Sequence, residues 1–148
     1  MLYLFSLITN AWAGLEYEWH WETSPQIEIC PDSQLTVNEV IQSYSYWFDR
    51  GVSANITSVN KVNYCDLDKK NVIQIAGDRD VDRRKNNAIT DVKWYYYGKK
   101  TSTTTLYISR VLVQIPDDMT ETPEVVLHEI GHSLGLGHTD DHIMKPVY

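Results

Sequence analysis

His128-Glu129-Ile130-Gly131-His132-Ser133-Leu134-Gly135-Leu136-Gly137-His138 is the stretch of this 148-residue chain from which the remainder is best read. Its spacing is H-E-x-x-H-x-x-G-x-x-H. His128 and His132 stand four apart, so a helix places them one turn apart on a single face. Two neutral imidazoles so placed can share one zinc ion, which takes nitrogen ligands in tetrahedral geometry. Glu129 follows the first histidine and stands beside the metal, where a carboxylate serves as general base. Gly135 supplies the left-handed residue that ends a helix and turns the chain back, bringing in His138 as third ligand. Three protein ligands leave a fourth position for water, the pattern of a catalytic rather than a structural zinc site. A surface histidine cluster on an ordinary helix is the plainer alternative, and the joint filling of every fixed position argues against it.

These residues resemble the zinc-binding signature of the metzincin clan of metallopeptidases. The signature is followed in that clan by a Met-turn, and Met144 supplies one in His142-Ile143-Met144-Lys145-Pro146. Thr139 after the third histidine and Pro146 after the methionine resemble the matrixin branch. Astacins and serralysins carry a tyrosine where Pro146 stands, so no tyrosine ligand is expected. The resemblance implies an α+β, zincin-like fold: a twisted mixed five-stranded sheet, a backing helix, an active-site helix and a minimal C-terminal subdomain. It implies a zinc-dependent endopeptidase acting on protein or peptide substrates, with Glu129 as general base, His128, His132 and His138 as metal ligands, and Met144 as an apolar floor under the metal. Pro146 and Val147 would begin the wall of the primed-side specificity pocket. Five residues separate His138 from Met144, fewer than most matrixins have, and two residues follow Pro146. An open, shallow pocket and a missing C-terminal segment are the alternatives this leaves. Two other functions fit the motif: a silent zinc-containing module that binds a protein partner, and a zinc hydrolase of a non-protein amide. Intact Glu129 counts against the first, since a retired enzyme has no chemical need of the base.

Composition sets the compartment and the partners. The chain is long enough for one domain with a real core, and its 43% apolar and 22% charged residues are ordinary for a globular protein. A formal charge of -7 argues against nucleic acid or an anionic membrane as partner; a monomer without stable membrane association is expected. Residues 1–13 read as a signal peptide, with an apolar run at 2–8 and Ala11-Trp12-Ala13 before Gly14, although no Lys or Arg precedes the run. The catalytic domain is then 14–148, secreted or periplasmic. In an exported protein Cys30 and Cys65 suggest a disulfide, worth roughly 4 kcal/mol in the chain-entropy model; two separate buried thiols are the alternative. Cys30 as a metal-capping latency switch is disfavoured, because the longer cysteine motif of matrixin propeptides is absent.

The remaining chain falls into short elements. Residues 15–22 alternate Tyr17, Trp19 and Trp21 with Glu18, His20 and Glu22, an extended arm. Residues 26–30 read as a strand with Ile27 and Ile29 on one side. Thr36-Val37-Asn38-Glu39 is a capping box opening a helix whose apolar positions are Val37, Val40, Ile41, Tyr44 and Phe48, stopped by Gly51. Strands are expected over 56–65, 71–76 and 106–115. Residues 88–97 form a strand, which the resemblance makes the antiparallel edge that lines the cleft. Asn55-Ile56-Thr57 matches a glycosylation sequon. Asp78, Asp80 and Asp82 have the alternation of a Ca2+ loop, but without its Gly and Glu they read better as a solvated loop. No histidine lies between His20 and His128, which excludes the second, histidine-bound zinc of many animal matrixins. Thr122 as N-cap and Pro123 at the first helical position begin the active-site helix, with Leu127, Ile130 and Leu134 toward the core.

Overall fold

The computed structural model describes residues 20–53, 55–77, 89–97, 105–140 and 143–146. The expected signal peptide, Asp78, Asp80, Asp82, His142 and Val147 lie outside the described residues. The elements run β1 (His20–Trp21), β2 (Gln26–Ile29), α1 (Val37–Asp49), β3 (Val59–Lys61), β4 (Val72–Ala76), β5 (Ile89–Tyr97), β6 (Thr105–Gln114), a 3-10 turn (Asp117–Met119) and α2 (Pro123–Ser133).

Five strands form the expected mixed sheet in the order β5-β6-β4-β2-β3, with β5 antiparallel and the other pairings parallel. The two-residue β1, part of the aromatic arm, adds to β6 in parallel at Tyr107 and Ile108. It sits beside the start of the β4–β6 pairing at Arg110. The α+β architecture and the antiparallel edge strand are therefore as the sequence implied.

Register explains the two faces. Ile27, Ile73 and Val111 stand side by side across β2, β4 and β6, and Ile29, Ile75 and Val113 form the next row. All six are essentially inaccessible and join one core with Val40, Tyr44 and Trp47 of α1 and Val126 and Ile130 of α2. Parallel neighbours cannot be joined by a tight turn, so each connection must cross a face of the sheet. From β2 to β3 the crossing is α1. From β3 to β4 it is the 62–71 segment, which covers the opposite face. There Gln74 donates to Glu28 Oε2 (3.2 Å) and to the Asp66 carbonyl (2.8 Å), and Lys69 pairs with Glu28. The charge that Glu28 carries into a buried position is thus matched, as a buried carboxylate requires. The Cys30–Cys65 disulfide pins the same segment to the end of β2, with a Cα–Cα distance of 5.6 Å.

Three local expectations need correction. The strand expected over 56–65 is only Val59–Lys61; it pairs with β2 alone among the described strands, and the 62–71 segment must leave the sheet to cross it. On α1 the buried positions are Val40, Ser43, Tyr44 and Trp47, while Ile41 and Phe48 are 44% and 59% exposed. Both Trp47 and Phe48 satisfy helical spacing, and α2 packs on the Trp47 side. On α2 the core positions are Val126, Ile130 and Leu134, with Leu127 only half-buried.

The capping box at α1 is present as written. Thr36 Oγ1 accepts from the Glu39 amide (3.3 Å), and Glu39 Oε2 accepts from the Thr36 amide (2.7 Å). These bonds to Thr36 hold the Glu39 carboxyl below its usual range. At the other end, Gly51 takes φ +85°, the left-handed residue that terminates the helix.

Candidate metal centre and active site

The three clustered histidines are placed by how α2 ends. Its last turn closes with Leu136 N–H on the Gly131 carbonyl (3.1 Å) and Gly135 N–H on the His132 carbonyl (3.0 Å). Gly135 sits between them at φ +102°. This is the Schellman arrangement, and the left-handed residue it requires is the glycine of the motif. The chain then doubles back, and Thr139 N–H donates to the Met144 carbonyl (3.0 Å), closing the turn that follows.

Both folded-back segments hold a histidine. The His128 Nδ1 lies 2.6 Å from the Ile143 carbonyl, and the His132 Nδ1 lies 2.8 Å from the Leu136 carbonyl. A carbonyl only accepts, so each Nδ1 carries the proton and each Nε2 presents a lone pair. Those lone pairs converge: His132 Nε2 is 3.0 Å from His128 Nε2 and 3.1 Å from His138 Nε2. Zinc bound tetrahedrally at its usual nitrogen distance sets its ligands about 3.3 Å apart. The three imidazoles, with His128 buried, His132 half-buried and His138 exposed, therefore fit one such ion. Burial holds His132 down to about 4, and the neighbouring His128 and His138 push the same way. That keeps its ring neutral, the form that ligates.

Met144 is fully buried and packs against α2 at Gly131. A Cβ built on Gly131 would stand 2.6 Å from Met144 Sδ and 3.0 Å from Trp47 Cζ2. The glycine between His128 and His132 thus lets the helix settle between Met144 and α1. Trp47 secures the contact by donating from Nε1 to the Leu127 carbonyl (2.8 Å), next to His128. Trp21 of β1 donates from Nε1 to the Ser133 carbonyl (2.9 Å) at the far end of the same helix.

Glu129 is 7% exposed, and its carboxylate is hydrogen-bonded by the Thr90 hydroxyl of β5. Burial raises its pKa; the Thr90 bond and the positive potential of His138 act in the opposite sense. Pro146, beyond Met144, is exposed. Thr122 stands at the N-cap of α2 with Pro123 following, but its side chain makes no capping bond.

Residues 16–148 match the family model for matrixin, peptidase family M10. The chain belongs to the matrixin family. No curated protein gives a significant match. For this matrixin, family membership indicates a zinc metallopeptidase acting on protein or peptide, and the three-histidine cluster agrees with it.

The structure brings His128, His132, His138, Glu129 and Met144 into one neighbourhood, all from a continuous 17-residue segment spanning 128–144. Sequence reading missed Thr90, Trp21 and Trp47. Trp47 was visible as a helix aromatic, and Trp21 as part of an alternating arm. Nothing in the chain marks Thr90, which lies 39 residues from its partner.

Proposed function

We propose that this matrixin domain is a secreted or periplasmic zinc-dependent endopeptidase with Glu129 as general base. The observation that carries it is the convergence of three imidazole Nε2 atoms beside a buried carboxylate, on a helix that ends at Gly135. A zinc ion held by His128, His132 and His138 would supply Lewis acidity to the site. The protein residues do the remaining work. Carbonyl bonds to the two Nδ1 atoms orient the imidazoles and fix their tautomer. Glu129 takes a proton from the attacking water and delivers one to the leaving amine of the peptide. Its burial supports this, because a carboxyl with a raised pKa is a better proton carrier near neutrality. Among the described residues β5 pairs only with β6. Its other edge is suited to an extended peptide, main chain to main chain, by strand addition. The Cys30–Cys65 disulfide supports an oxidising compartment. No helix among the described residues is long and apolar enough to cross a membrane.

The test compares the metal-loaded chain with Glu129→Ala on a complex peptide mixture, reading new termini by mass spectrometry. Cleavage by the wild type alone, abolished by a chelator, is the expected result. Cleavage by neither protein, with one zinc per folded chain, refutes the endopeptidase reading. Release of product only from small non-protein amides would refute the assignment of peptide as substrate.

A further inference from the structure

We infer that Thr90 is the positioning residue for the Glu129 carboxylate, an inference that rests on the general-base role proposed above. Thr90 enters from β5, a strand far from α2 in sequence, and its register is fixed by pairing with Val113 of β6. Its Oγ1 contacts Glu129 Oε2 and lies 3.2 Å from the main-chain carbonyl of the same residue. The hydroxyl therefore faces two acceptors with a single hydrogen.

That arrangement serves both halves of a proton transfer. While Glu129 is a carboxylate, the Thr90 hydrogen goes to Oε2, since a charged acceptor outcompetes a neutral carbonyl. With Oε2 held in this way, the proton from water goes to the other carboxylate oxygen, Oε1, from which it can pass to the leaving amine. Thr90 keeps its hydrogen bond to Oε2 and gains and loses no proton over the cycle. A β-branched residue suits the task because its χ1 is restricted. Glu129 is thereby aimed from the strand on which the extended substrate would lie, so one element orients both peptide and base. A simple tie between strand and helix would need only the carbonyl contact. The second bond, to the carboxylate, is what a positioning role adds.

Thr90→Val keeps the shape and removes the hydroxyl, and Thr90→Ser keeps the hydroxyl and removes the methyl. Loss of one charge-assisted bond corresponds to about 10- to 100-fold in kcat. Thr90→Val is expected to show that loss with KM within about twofold and zinc content unchanged; Thr90→Ser should restore most of the rate. A second readout needs no turnover. The infrared carboxylate band of Glu129, isolated by subtracting the spectrum of Glu129→Gln, should shift in Thr90→Val and return in Thr90→Ser. Thr90→Ala replaces the valine variant if that protein fails to fold. Wild-type cleavage matched by Thr90→Val, or equal impairment of the valine and serine variants, overturns the role of Thr90 and leaves the endopeptidase reading intact. A wild type that cleaves nothing overturns the endopeptidase reading, and the catalytic meaning of Thr90 with it, even if the infrared band shifts.

Discussion

Gly131→Ala offers the sharpest test of how α2 is seated. In an unobstructed helix interior the change stabilises by about 1 kcal/mol, because alanine has the higher helix propensity. Here the added methyl would meet Met144 Sδ at 2.6 Å and Trp47 Cζ2 and Cε2 at 3.0 and 3.2 Å. Neither neighbour yields easily. Met144 is fully buried, and Trp47 is buried with its Nε1 held by the Leu127 carbonyl. Overpacking a tight core costs about 1–3 kcal/mol, so the net effect is a loss of about 1 kcal/mol. For a domain of this size that is a fall in Tm of about 3–5 °C. The assay is urea and thermal unfolding at fixed free zinc, since metal binding itself adds stability by mass action. Repeating the substitution in a Met144→Ala background removes the closest contact. There Gly131→Ala should be neutral or stabilising, a coupling of about 1 kcal/mol or more. A variant that is more stable than wild type by the same amount in both backgrounds would refute the packing argument.

Other outcomes follow from the same structure. Replacing both Cys30 and Cys65 by serine should cost about 4 kcal/mol, the loop-closure value for a sequence separation of 35, read as a lowered urea midpoint with the m-value checked. Acid should weaken the chelated protein through His132. Its folded-state pKa of about 4 lies below the ordinary 6.5, so between those values the unfolded chain holds a proton that the folded one does not. Stability should then be flat above about pH 6.5 and fall as pH drops toward 4; a midpoint unchanged across that window would contradict the burial of this ring. Trp21→Phe removes the donor to the Ser133 carbonyl and should cost about 1 kcal/mol, detectable as a lower Tm with the fold otherwise intact by circular dichroism.

Much of the site was legible in the sequence because it is local. The three histidines, Glu129 and Met144 fall within one helix, its terminating glycine and the turn behind it, where spacing alone fixes relative direction. The strands of the central sheet were legible for a related reason: rows such as Ile27–Ile73–Val111 come from runs whose period of two is visible without knowing their partners. The α1 face was misread by one position because Phe48 and Trp47 both satisfy a helical stripe.

The chain by itself determined the three-histidine cluster, the place of Glu129 beside it, the capping box of α1 and the left-handed exit at Gly135, each a matter of residues a few positions apart. Tertiary structure alone decided that Trp47 rather than Phe48 meets α2, that Trp21 ties down its far end, and that Thr90 reaches Glu129. It also decided that Gly131 is needed for a close approach. These depend on which elements pack against one another. That choice is made by the summed burial of whole faces, and burial is non-directional, so no spacing in the sequence records it.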